Sequence, residues 1–230
     1  MDLYHQYGPL FAELYDRITQ LKSMLYSWNS GGGGAFLGNY FNYLSSPIGG
    51  LIVLLFGHEN VPEAIGAMVF LKNALAAAAM AYYLKKSNGK NDFTISAFGI
   101  LYAFCGFFIA YYWNIMWIDA MYLLPLVVLG IERIINKQNA TFYIVTLAIS
   151  FFSNYYMSYM ICIFSVLYFL VYFFSNYSIK EILPTKPIYV DEDGEIYNRK
   201  IDNVFYSRFV TSGLLFALGS FLAVGLAAVA

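Results

Sequence analysis

Apolar residues fall along this chain in long blocks separated by short polar stretches. From residue 62 onward the blocks approach the ~20 residues needed to cross a hydrocarbon core of ~30 Å. Residues 62–84, 93–112, 120–135 and 207–230 read as spans, the third short and carrying Pro125. Residues 140–175 form one apolar run, too long for a single crossing at a rise of ~1.5 Å per residue. The polar pair Ser153-Asn154 in its middle predicts two helices joined by a tight turn, which gives six spans in all.

The first 61 residues depart from this pattern. Gly8-Pro9 starts a helix, since proline is tolerated in the first turn. Leu10, Leu14, Ile18, Leu21 and Leu25 then recur at helical spacing, with Glu13, Asp16, Arg17 and Gln20 on another face. Such a segment suits a helix lying in the membrane interface, or an ordinary helix packed on protein. Residues 28–46 read as a Gly/Asn/Ser/Tyr loop ended by Pro47, and residues 47–57 as a re-entrant or interfacial turn too short to span. The chain therefore divides into an external segment, 1–61, and a helical bundle, 62–230, that includes a polar cytoplasmic loop at 176–206.

Composition sharpens the class. Hydrophobic residues make up 60% of the 230 positions and charged residues 12%, where soluble domains carry about 25% charged. Mean hydropathy is +0.59. The fold class is all-α, a polytopic helical membrane protein; the ~10-residue alternating segments of a transmembrane barrel are absent. A net charge of −1 offers no basic face for nucleic acid. Cys105 and Cys162 lie within apolar runs and read as packing residues. Met1 has no span before it and Ala230 ends in an apolar run, so a fragment of a longer protein is expected. Ten of the thirteen lysines and arginines fall on one side of the six-span arrangement. By the positive-inside rule that side is cytoplasmic. It places residues 1–61, the Trp113–Asp119 turn and the Ser153–Tyr156 turn together outside.

The candidate chemistry gathers on that outer side. Asp2 is the first candidate, as a base for an acceptor hydroxyl or a ligand for a divalent metal (Mg or Mn) bridging a phosphate leaving group; a capping or solvated aspartate is the alternative. Asp119 is the second candidate acid and possible metal ligand, with a helix cap before Ala120 as its alternative. Lys72, inside a span, would approach the phosphate of a lipid donor or pair with a carboxylate elsewhere. Tyr4, His5, Gln6, Trp28, Asn29, Asn154 and Tyr155 set flat rings beside amides, a mixture that suits a sugar and equally an aromatic girdle. Asp191-Glu192-Asp193-Gly194 lacks the spacing of a calcium loop and reads as a solvated turn.

The Asp2–Tyr7 opening, Trp28-Asn29 with its glycines, Trp117-Ile118-Asp119 and Ser153-Asn154-Tyr155-Tyr156 resemble the bacterial YfhO membrane protein family along essentially the whole chain. The resemblance implies a GT-C class glycosyltransferase, which uses polyprenyl-phosphate sugars on the outer face. It places an essential acid of the first external loop at Asp2 and a second-loop acid at Asp119. It also implies membrane lipid surroundings, a polyprenyl-phosphate sugar donor such as an undecaprenyl phosphate sugar, and a cell-wall polymer acceptor such as lipoteichoic acid, at the bacterial plasma membrane. The rival expectations are a transporter or flippase of lipid-linked sugars, and a non-catalytic membrane protein of envelope assembly.

Overall fold

The structure, a computed structural model, describes residues 3–29, 32–89, 92–177, 189–190, 196–197 and 204–228. A π-helical turn at Leu3–Tyr7 leads into α1 (Gly8–Thr19), whose second residue is Pro9. A two-residue hairpin, β1 (Tyr26–Ser27) with β2 (Gly34–Ala35), is followed by α2 (Phe36–Asn39), a second π-helical turn at Tyr40–Leu44, and α3 (Pro47–Phe56). The long helix α4 (Val61–Asn88) starts on Pro62 and is closed by Gly89 in the left-handed region at φ 68°. Lys85 and Lys86 sit in its last turn, where the carbonyl end of a helix favours cations.

The remaining helices complete the bundle with α4. They are α5 (Phe93–Ala103), α6 (Gly106–Tyr111), α7 (Ile115–Ile135), α8 (Thr141–Ser153), α9 (Tyr155–Asn176) and α10 (Val204–Ala227). A small strand pair, β3 (Tyr189–Val190) with β4 (Ile196–Tyr197), lies between α9 and α10. Among the described residues five helical stretches are long and apolar enough to cross a membrane, while α8, at 13 residues, is shorter. The Asp191–Gly194 turn and most of the 176–206 loop lie outside the described residues.

The long apolar run divides where the sequence predicts. α8 ends at Ser153 and α9 begins at Tyr155, with the Asn154 side chain accepting a hydrogen bond from the Met157 N–H as an N-cap. Ser150 and Ser158 hydroxyls meet at 2.8 Å across the break.

Four expectations are corrected. The 93–112 stretch is long and apolar enough to span at Phe93–Tyr111, but it is not one uninterrupted helix: it breaks at Phe104–Cys105, where Cys105 is extended. Trp113–Asp119 is not a turn throughout, because α7 begins at Ile115 and carries Trp117 and Asp119 in its first turns. The apolar stripe of α1 is also mis-phased. Its buried face is Phe11 and Leu14, continuous with Tyr7, while the helix stops at Thr19 and leaves Leu21 92% exposed. The reason is Arg17, which is buried and points inward. It pairs with Glu13 at 2.7 Å, donates to the Ser23 and Tyr26 carbonyls, and lies 4.3 Å over the Phe36 ring. Residues 28–46, expected as a loop, hold β2, α2 and the second π-helical turn among their described residues.

The packing explains the length of α4. Its 28 residues span about 42 Å, more than a ~30 Å hydrocarbon core requires. The surplus is covered by the front segment: Tyr7, Phe11, Leu14, Phe36, Leu44 and Val53 form one core with Val61, Ala64, Ile65 and Met68 of α4 and Ile115 of α7. A second core joins α7, α8, α9 and α10 around Val127, Ile131, Tyr143, Phe169 and Phe173, and a smaller one joins α4, α5 and α7.

Candidate functional site

The front segment, the α6–α7 turn and the α8–α9 break come together at one end of the bundle. Tyr7 donates its phenolic O–H to Asn114 Oδ1 at 2.6 Å. Ser45 Oγ donates to the Ser153 carbonyl at 3.1 Å, and Asn154 Nδ2 to the Asn42 carbonyl at 3.4 Å. Aromatic contacts close the same end, with Phe41 edge-on to Phe152 and Trp117 stacked on Tyr156.

Beneath this junction lies a buried ion pair. Lys72 Nζ stands 2.7 Å from Asp119 Oδ2 and 3.1 Å from the Ile115 carbonyl, and both side chains are 1% exposed. The other carboxylate oxygen, Oδ1, accepts from Ser46 Oγ at 3.0 Å and from the Tyr122 hydroxyl at 2.7 Å. Lys72 is eleven residues into α4, about 16 Å from its start, and reaches the first turn of α7. It is therefore not stranded at the centre of the bundle. A lysine in a membrane span must find a counter-charge; here it is Asp119, and Asn114 rather than Asp119 stands at the N-cap position of α7. The pair ties α4 to α7, and Ser46 adds the start of α3, so the front segment is attached to the bundle through it.

The other predicted residues are dispersed around this end. Tyr4 and His5 are exposed on the first π turn, with Tyr4 edge-on to His5, and Gln6 is half-buried beside them. Tyr4 and His5 line a cavity of about 570 Å³ with Gly8, Pro9, Pro62 and Ile65. Trp28 and Asn29 are exposed beside the hairpin, and Trp28 packs edge-on against Tyr26. Asn154 is buried in its capping role and Tyr155 is exposed. Asp2 lies outside the described residues.

A divalent metal on Asp119 does not fit this arrangement. One of its oxygens faces an ammonium and the other accepts two hydroxyls, which leaves the carboxylate with the charge and donors it needs. Among the described residues no group of three His, Cys, Asp or Glu side chains is placed to hold a metal. No step is routed through one.

Sequence reasoning did not find Ser46, Tyr122, Tyr7 or Asn114 as partners. Ser46 carries a weak local signal, since Ser45-Ser46-Pro47 reads as a helix start; the others have none. A further buried acid, Glu132, stands near the end of the 120–135 span. It accepts from Tyr83 at 2.9 Å and Tyr168 at 2.6 Å, tying α4, α7 and α9 at the opposite end of the bundle.

No curated protein and no solved structure gives a match to the chain. A family model described as bacterial membrane protein YfhO matches residues 1–230. With several apolar helices long enough to span, the protein is a multi-pass membrane protein, and the chain belongs to the YfhO family of bacterial membrane proteins.

Proposed function

We propose that the protein is a GT-C type membrane glycosyltransferase, which moves a sugar from a polyprenyl-phosphate donor to a cell-envelope acceptor such as lipoteichoic acid. The reaction takes place on the outer face of the bacterial plasma membrane, with residues 1–61 extracytoplasmic. The observation that carries the reading is the closure of the front segment, the α6–α7 turn and the α8–α9 break into one polar, aromatic end of the bundle. Such an end suits a substrate whose head is polar and whose tail is lipid.

In this reading the transfer is inverting. The acceptor hydroxyl oxygen bonds to the anomeric carbon as the bond from that carbon to the phosphate oxygen breaks, and polyprenyl phosphate leaves. The hydroxyl proton passes to the carboxylate of Asp2, the general base. Tyr4, His5, Gln6, Trp28, Asn29 and Tyr155 are the candidate sugar contacts, with Asn154 holding the α8–α9 break beneath them. Lys72 and Asp119 act as positioning residues, because each satisfies the other and together they hold Ser46 and the first turn of α7.

The test is incorporation of labelled sugar from the polyprenyl-phosphate donor into envelope polymer in the host. Asp2→Asn at normal membrane levels is expected to lower incorporation by about 10²-fold or more, the usual range for removal of a general base. Full incorporation by Asp2→Asn removes Asp2 from the mechanism, and full incorporation after deletion of the gene contradicts the transferase.

A further inference from the structure

At the end of the bundle opposite the front segment, the α7–α8 connection frames a crevice of about 420 Å³. Its lining divides by chemistry: Arg133, Gln138, Asn139 and Thr141 are polar, Phe142 and Val145 apolar. Lys137 shapes the connection. It adopts a left-handed backbone at φ 59°, a conformation uncommon for a residue with a β-carbon. The turn lets the Gln138 N–H donate to the Arg133 carbonyl at 2.8 Å, which folds Gln138 and Asn139 back beside α7. Asn139 Oδ1 accepts from the Thr141 N–H at 2.8 Å and from its hydroxyl at 2.6 Å, so it starts α8. The register of the two helices brings Arg133 to the same level. A Cβ on Gly130 would stand 2.7 Å from Tyr143 Cα; Arg133 is about one turn beyond Gly130, and Thr141 lies just before Tyr143.

The Arg133 guanidinium is held in place without being neutralised. It lies 4.3 Å from the centre of the Phe142 ring, and its hydrogen bond to the Tyr82 hydroxyl is long, at 3.4 Å. The adjacent Glu132 turns to Tyr83 and Tyr168 instead, and no carboxylate among the described residues pairs with Arg133. The Tyr82 contact sets the last turns of α4, with Lys85 and Lys86, at this same end. A basic end of a membrane bundle attracts anionic lipid, and here one cation is fixed on a ring beside amides and an apolar wall.

We propose that this crevice binds the phosphodiester of an anionic phospholipid, such as phosphatidylglycerol, from the leaflet on the side away from the front segment. The planar guanidinium donates two N–H groups to phosphate oxygens, and the Gln138 and Asn139 amides supply further donors. One acyl chain follows Phe142 and Val145 into hydrocarbon. Val145 is 46% exposed and lies four residues along α8 from Thr141, about 6 Å nearer the middle of the bundle. A free phosphate leaves that apolar wall unused, and Lys85, Lys86 and Lys137 repel the ammonium of a zwitterionic headgroup. The inference does not depend on the transferase reading.

The experiment is a native mass spectrometry titration of the whole chain in detergent, with phosphatidylglycerol and phosphatidylcholine of the same acyl chains. The first phosphatidylglycerol is expected to bind about tenfold more tightly than phosphatidylcholine. Arg133→Gln is expected to remove that preference, whereas Lys85→Gln, which takes the same charge from the same end outside the crevice, changes it by less than about twofold. Val145→Trp keeps the guanidinium, fills the apolar wall at an exposed position, and is expected to weaken phosphatidylglycerol about fivefold. Millimolar inorganic phosphate is expected not to displace the lipid. Equal binding of the two lipids overturns the proposal, as does equal loss in Lys85→Gln, which marks diffuse charge attraction. Full retention by Arg133→Gln or Val145→Trp overturns it too, and displacement by inorganic phosphate assigns the crevice to a free anion instead.

Discussion

Lys72 and Asp119 are 47 residues apart and form the most deeply buried charge pair among the described residues. Each residue was legible alone, because a charge inside an apolar run is too costly to leave unpartnered. Their pairing was not legible, since nothing local marks two residues on α4 and α7 as neighbours. Asp119 was harder still, because its place in the first turns of α7 depends on that helix starting at Ile115. The pair leads to a cycle of variants. Lys72→Met or Asp119→Leu alone strands a buried charge and is expected to destabilise by about 3–5 kcal/mol, whereas the double variant is expected to lose clearly less than the sum. Thermal unfolding in detergent measures all four proteins. Strict additivity of the two single losses contradicts the pairing. Arg17 makes a parallel case, since it ties Ser23, Tyr26 and Phe36 to α1. Arg17→Ala is expected to speed limited proteolysis between Ser23 and Ala35 by about tenfold, as the local opening free energy of that loop falls by about 1.4 kcal/mol. An unchanged cleavage rate contradicts the tie.

At the scale of elements, what could be read depended on whether the signal was local. The α8–α9 break is local: an apolar run too long for one helix, with Ser153-Asn154 at its centre, has few other places to turn. The interruption of the α5–α6 span has no comparable signal, since Ala103-Phe104-Cys105-Gly106 is apolar throughout. The phase of α1 was misread because an arginine was placed on the wet face by its type, whereas its neighbours Glu13 and Phe36 give it a buried place. Packing between elements leaves a sharper prediction at Gly130. A Cβ there would stand 2.7 Å from Tyr143 Cα, so α7 and α8 can approach only because the residue is glycine. Gly130→Ala is expected to lower the unfolding temperature by several degrees, while Gly66→Ala, with nothing within 4 Å of its Cβ, is expected to be neutral. Equal behaviour of the two variants contradicts the close approach.

Among the described residues the front segment caps one end of the bundle. α4 begins about 16 Å before Lys72, and the front segment packs around that first part to make a cap over α7 and the α8–α9 break. The class of the protein and the meeting of these three segments were legible from hydropathy and the lysine and arginine bias. The depth of the cap and the α4 surplus were not, because they follow from packing. In the proposed transferase, sugar changes hands at the capped end. The most direct measurement is transfer in proteoliposomes, with labelled polyprenyl-phosphate sugar and acceptor both supplied on the face that carries the front segment. Label is expected to pass to the acceptor, Asp2→Asn to lower the rate by about 10²-fold, and donor confined to the opposite leaflet to go unused. Movement of intact labelled lipid between leaflets, with no sugar on the acceptor, would contradict it and identify a transporter.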